Sequence, residues 1–168
     1  MKPKLKRTLV VASLGVAFVS VVAWFAAPKL FESRMAANEA SAVGSLRTLN
    51  TSLVAYSATY TDSVGYPPTL QTLGPPPDRL SNSCSKANLI DDILSSGMKS
   101  GYIFEYLPGP QTRAMVAGCP AVSKSYVLTA RPKEYDTTGN RSFYSDESGV
   151  IRYSTSERPA VASDPILQ

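Results

Sequence analysis

The stretch FESRMAANEASAVGSLRTLNTSLVAYSATY, residues 31–60, decides the architecture. Phe31, Met35, Ala42, Leu46, Leu49, Leu53, Tyr56 and Tyr60 recur at steps of three, four or seven, the spacing of one face of an α-helix. Glu32, Arg34, Asn38, Glu39, Ser45, Arg47 and Asn50 fall between them, so a solvated or partner-facing side is expected there. Leu46, Leu49, Leu53 and Tyr56 are the positions expected to pack the helix on the rest of the domain. Upstream of this stretch, Thr8 to Ala27 contains no charged residue, and Leu9, Val10, Val11, Leu14, Phe18, Trp24 and Phe25 lie within it. A helix of that length rises about 30 Å, one bilayer core. One nearly continuous helix over 8–60 is therefore predicted, apolar all round at first and one-sided later, with Pro28 placed to kink it.

Charge orients the apolar segment. Lys2, Lys4, Lys6 and Arg7 precede it and the next basic residue is Lys29, which puts residues 1–7 on the cytoplasmic side as a basic tail and 8–28 in the membrane. A cleaved signal peptide is the rival reading, since Val21-Val22-Ala23 offers a small-residue site, but the apolar run outlasts the usual core of such a peptide. The overall net charge is +4. From Lys29 onward 13 basic residues face 13 acidic ones, so the exported part is neutral and nucleic acid is not an expected partner.

Downstream of Tyr60, the breakers in Thr61–Pro68 and Gly74–Pro77 end the helical pattern. Thr69–Leu73 and Ala87–Ser95 read as short helical turns. Tyr102–Leu107, Thr112–Ala117, Ser125–Ala130, Ser142–Ser145 and Val150–Ser154 alternate with period two and read as strands in hairpin succession. The predicted fold class is thus α+β, a long N-terminal helix packed on a small antiparallel sheet. Residues 29–60 are the amphipathic part of the helix, 61–157 the loop and sheet, and 158–168 a loose tail. Cys84 and Cys119 both fall in the exported part, where an oxidising compartment favours a bridge; two unpaired small apolar side chains are the alternative. Such a bridge would close a loop of about 35 residues, worth about 3–4 kcal/mol.

The chain holds no His, no Gly-x-Ser-x-Gly, no phosphate loop and no paired metal-ligand motif, so neither an enzyme nor a cofactor is expected. Asp91-Asp92 and Asp146-Glu147 could bind calcium, but two adjacent carboxylates fall short of its roughly 6–8 oxygen ligands and exposed turn acids are the commoner reading.

The run Ala26 to Asn50, with its proline, its Arg34-Met35 pair and its Asn38-Glu39-Ala40-Ser41-Ala42-Val43-Gly44-Ser45 sequence, resembles the helix of type IV pilins and type II secretion pseudopilins. Arg141 to Tyr153 is similar to the final hairpin of the same proteins. The resemblance implies a pilin-like fold and a structural role at the bacterial inner membrane, with the C-terminal domain periplasmic or extracellular. Its implied partners are the lipid bilayer, other pilin-like subunits or the inner-membrane assembly platform. An anchored binding module on the same scaffold is the second reading. One departure is large. Alignment on Pro28 places the family's processing site at Lys6 and Arg7, where prepilins carry a small residue followed by an aromatic, and its acidic residue at Val11. An unprocessed minor or accessory component is therefore expected.

Overall fold

The computed structural model describes residues 3–61, 65–78, 81–114 and 116–168, with side chains from Lys29 onward. Helix α1 spans Pro3–Tyr60, and two single-turn helices follow, α2 (Leu70–Leu73) and α3 (Asp92–Ser95). The strands are β1 (Met98–Lys99), β2 (Tyr102–Pro108), β3 (Gln111–Thr112), β4 (Val122–Ser123), β5 (Tyr126–Pro132), β6 (Ser142–Asp146) and β7 (Arg152–Ser154). The fold is α+β, with a five-stranded antiparallel sheet in the order β1-β2-β5-β6-β7 and a separate β3-β4 pair.

Leu46, Leu49, Leu53 and Tyr56 are fully buried and form one cluster with Phe104, Leu128, Ala130 and Phe143 from the sheet. Each such leucine contributes about 1.5–3 kcal/mol relative to exposure. Strand β5 shows why the sheet accepts the helix: Tyr126, Leu128, Ala130 and Pro132 are buried while Val127, Thr129 and Arg131 are half-exposed, the period-two pattern of a sheet covered on one face.

Several expectations are corrected. Glu39, Ser45 and Asn50 are buried, not solvated, because each finds polar partners or close packing on the domain side of α1. Phe31, expected on the buried stripe, is 59% exposed, because the helix has not yet reached the domain at that point. Helix α3 covers only Asp92–Ser95; Ala87 and Leu89 instead donate main-chain hydrogen bonds to Thr72 and Leu73. The strand expected over Thr112–Ala117 shrinks to Gln111–Thr112, paired with Val122–Ser123. Strand β1 was not anticipated. Ser100 and Gly101 both have positive φ (49° and 72°), the two-residue turn that matches strand twist, and they place Lys99 opposite Tyr102.

The C-terminal segment 158–168 is pinned rather than loose. Arg158 holds Asp164 through two guanidinium hydrogen bonds of 2.8 and 2.6 Å, Ala160 is buried, and the main chain runs back along β7. There Tyr153 N donates to Pro165 O and Leu167 N to Ile151 O.

Among the described residues no helix is long and apolar enough to cross a membrane. The anchor residues Leu9, Val10, Val11, Leu14, Phe18, Trp24 and Phe25, and the kink expected at Pro28, lie outside the residues whose side chains are described.

Candidate functional site

The long helix joins the rest of the domain abruptly. All six residues from Lys29 to Arg34 are exposed, Leu30 by 63% and Phe31 by 59%. The first fixed attachment lies one turn later. Asn38 Nδ2 donates to Thr138 O at 2.9 Å, and the Glu39 carboxylate receives three bonds: from Asn140 N (2.8 Å), Arg141 N (3.2 Å) and Arg141 Nε (2.7 Å). Arg141 in turn lies against the Phe143 and Tyr153 rings, and its carbonyl accepts from Tyr102 Oη at 2.8 Å. Only 9% of the Glu39 side chain is exposed, so this carboxylate is held by its donors rather than by water.

About three turns on, Asn50 uses both ends of its amide. Its Oδ1 accepts from Tyr126 Oη at 3.0 Å and its Nδ2 donates to Ser145 Oγ at 2.8 Å, so one helix residue ties together β5 and β6. Near the C-terminal end of α1, Tyr56 Oη donates to Cys84 O at 2.7 Å. Cys84 is disulfide-bonded to Cys119 with a Cα–Cα distance of 5.4 Å, which joins the loop beyond α2 to the loop before β4. Burial, with the neighbouring Tyr60 second, pushes the Tyr56 hydroxyl up to about 12. Burial likewise raises Tyr102, Tyr106 and Tyr126, so these hydroxyls stay protonated donors to Arg141 O, Pro67 O and Asn50.

One member of each acidic pair is engaged locally. Asp91 caps α3 through Leu94 N and meets Lys99 at 3.0 Å, and the Leu94 bond is the main cause of its lowered pKa. Burial pushes Asp146 up, but bonds from the Ser148 hydroxyl and main chain outweigh it and leave the group lowered. The outward face of α1 carries the small residues Ala37, Ala40, Gly44, Thr48 and Thr51, all exposed. A second helix can approach such a face closely.

The structure thus brings Leu46, Leu49, Leu53 and Tyr56 into one core and joins Cys84 to Cys119. Glu39 and Asn50 were not foreseen as core anchors. The signal was available: Glu39, Ala42, Leu46, Asn50, Leu53 and Tyr56 step by three or four, so the two polar residues stand on the apolar stripe itself. No family model matches the chain, and comparison with curated proteins and with solved structures finds no significant match.

Proposed function

We propose that this chain is a membrane-anchored, non-enzymatic, pilin-like structural protein: an unprocessed minor or accessory component of a type IV pilus or type II secretion assembly. In this reading residues 8–28 span the bacterial inner membrane, residues 1–7 stay cytoplasmic and the sheet domain lies in the periplasm. Its partners are the bilayer, other pilin-like subunits and the assembly platform. The observation that supports the reading most is the division of labour along one helix. From Glu39 to Tyr56 the helix is bolted to the sheet, whereas Leu30 and Phe31 just before it are bare. A helix that leaves its own domain with apolar side chains exposed needs another apolar environment for its first half, and the uncharged run Thr8 to Ala27 has the length of a bilayer core.

Alkaline carbonate extraction of membranes, followed by intact-mass measurement, tests this. The expected result is full-length protein in the pellet. Release into the supernatant, or a mass lacking the first 23 residues, overturns the anchor; loss of the first six residues overturns the unprocessed state.

A further inference from the structure

Strand β2 is paired along its whole length on one side and along only part of it on the other. Its register with β5 runs from Tyr102–Pro132 to Pro108–Tyr126. Gly109 N donates to Ser125 O and Lys133 N to Gly101 O, so the odd-numbered positions exchange hydrogen bonds with β5. The even-numbered positions therefore point their main-chain groups to the opposite edge. There β1 meets β2 at Tyr102 and Ile103, and Phe104 N donates to Gly97 O. Beyond that, the chain turns away into α3. Among the described residues, nothing pairs with Tyr106 N–H or Tyr106 C=O, although the Tyr106 side chain is anchored through its hydroxyl to Pro67 O at 2.7 Å.

This bare edge is recessed. It lines a cleft of about 200 Å³, with Ser96, Gly97, Phe104 and Tyr106 on one wall and residues 68–71 on the other. No charged side chain lines it. The cleft is held open from both sides. Its far wall is fixed by the main-chain bonds of Ala87 to Thr72 and Leu89 to Leu73, and its near wall by the β2–β5 ladder.

We infer that the Tyr106 edge of β2 is a binding site for an extended, uncharged peptide segment of another protein, which pairs with it as an added strand. Two features select that occupant. The unpaired N–H and C=O on one residue are the two groups an antiparallel partner residue satisfies together, and the absence of lining charge disfavours Lys, Arg, Asp or Glu inside the cleft. The short reach of the bare edge limits the contact to a few residues, so selectivity would come from the side chain that enters against Leu70 and Phe104.

Amide hydrogen exchange on the full chain in detergent micelles tests the inference, with the capped peptide acetyl-Thr-Val-Thr-Val-Thr-amide as probe. Without peptide, Tyr106 N–H should exchange faster than Phe104 N–H. Peptide should slow Tyr106 by about tenfold or more and leave the amides of β5 unchanged. The same peptide with its internal amides N-methylated should have no effect, and Ser96→Phe or Gln71→Trp, both at exposed positions on the cleft walls, should abolish the protection while the remaining amide spectrum stays native. Slow Tyr106 exchange in the free monomer, protection by the methylated peptide, or no protection by the unmodified one overturns the site. Protection that rises with protein concentration in the absence of peptide replaces the foreign segment by a second copy of this chain.

Discussion

Glu39 on the helix and Arg141 at the start of the last hairpin are joined by a 2.7 Å ion pair across 102 positions of sequence, and the same carboxylate also receives the main-chain N–H groups of Asn140 and Arg141. Three donors thus converge on one nearly buried acceptor. Glu39→Ala removes it and leaves two main-chain donors and a partly buried guanidinium without a partner. A loss of about 2–4 kcal/mol is expected, less than for a wholly buried pair because 38% of the Arg141 side chain reaches water. Glu39→Gln keeps an acceptor and should cost about half as much. Denaturant unfolding of the full chain in micelles measures both; equal losses would show that the charge is irrelevant to the clamp.

The Asn50 amide, Tyr126 hydroxyl and Ser145 hydroxyl form a buried relay, and a relay is tested by its non-additivity. Tyr126→Phe leaves Asn50 Oδ1 without its donor and should cost about 1–3 kcal/mol. Asn50→Leu should cost a similar amount. The double variant removes both ends of the bond and should cost less than the sum of the two by about 1 kcal/mol. Strict additivity in the unfolding free energies would mean that the hydroxyl and the amide do not act together.

How far this was legible from the sequence depends on the range of each interaction. The stripe Leu46, Leu49, Leu53 and Tyr56 was legible because helical spacing is a local property, and so were β2 and β5 with their alternating burial. Glu39 and Asn50 were misplaced because their partners lie 76 to 102 residues away, and a polar side chain with no local reason to be buried reads as solvated. The tail was misread for the same reason. Its order rests on pairing with Ile151 and Tyr153, on the Arg158–Asp164 contact and on the Tyr135, Ser142 and Arg152 side chains that donate to its carbonyls, none of which leaves a periodic trace. Strand β1 is too short for any period, and only the Ser100-Gly101 turn betrays it.

The disulfide stabilises chiefly by shortening the unfolded chain. With Cys84 and Cys119 separated by 35 positions, its removal should lower stability by about 3–4 kcal/mol. Thiol alkylation of the denatured, unreduced protein should label neither cysteine. Unfolding midpoints with and without reductant give the energetic comparison, and an unchanged midpoint would show that the loops it joins are held by Tyr56 and the other contacts alone.

Acid should release the C-terminal segment. Hydrogen bonds from Arg158, with Val161 N second, hold the Asp164 pKa at about 2, below its ordinary 3.8. A carboxylate lowered on folding contributes stability above its unfolded value and loses it as pH falls through the folded one, so the contribution fades between about pH 4 and pH 2. Asp91 and Asp146 are also lowered and titrate in the acid range, so a local reporter is needed. The methyl resonances of Ala160 and Leu167 should shift toward random-coil positions across that window. In Asp164→Asn they should already be displaced at neutral pH and change little on acidification; a wild-type-like transition in that variant would assign the effect elsewhere.

The last expectation concerns assembly and follows from charge. A filament subunit of the kind proposed above would leave the bilayer and bury the start of its helix among others, which requires that end to be compact and internally neutralised. Here Lys2, Lys4, Lys6 and Arg7 occupy it and Val11 supplies no counter-charge. Each uncompensated charge in apolar surroundings costs about 2.5–3.5 kcal/mol on the insertion scale, and four of them outweigh what a modest helix contact through small residues returns. The wild-type chain should therefore be absent from sheared surface filaments and remain with the membrane. Combining Lys6→Gly, Arg7→Phe and Val11→Glu removes two of the charges, restores the cleavage pair and supplies the acid, so processing and some incorporation should appear. Immunoblots of sheared and membrane fractions compare the two. Abundant wild-type protein in the sheared fraction, with its basic tail intact by mass, would overturn the charge account, whereas a processed triple variant that still stays in the membrane would shift the block from the tail to the domain.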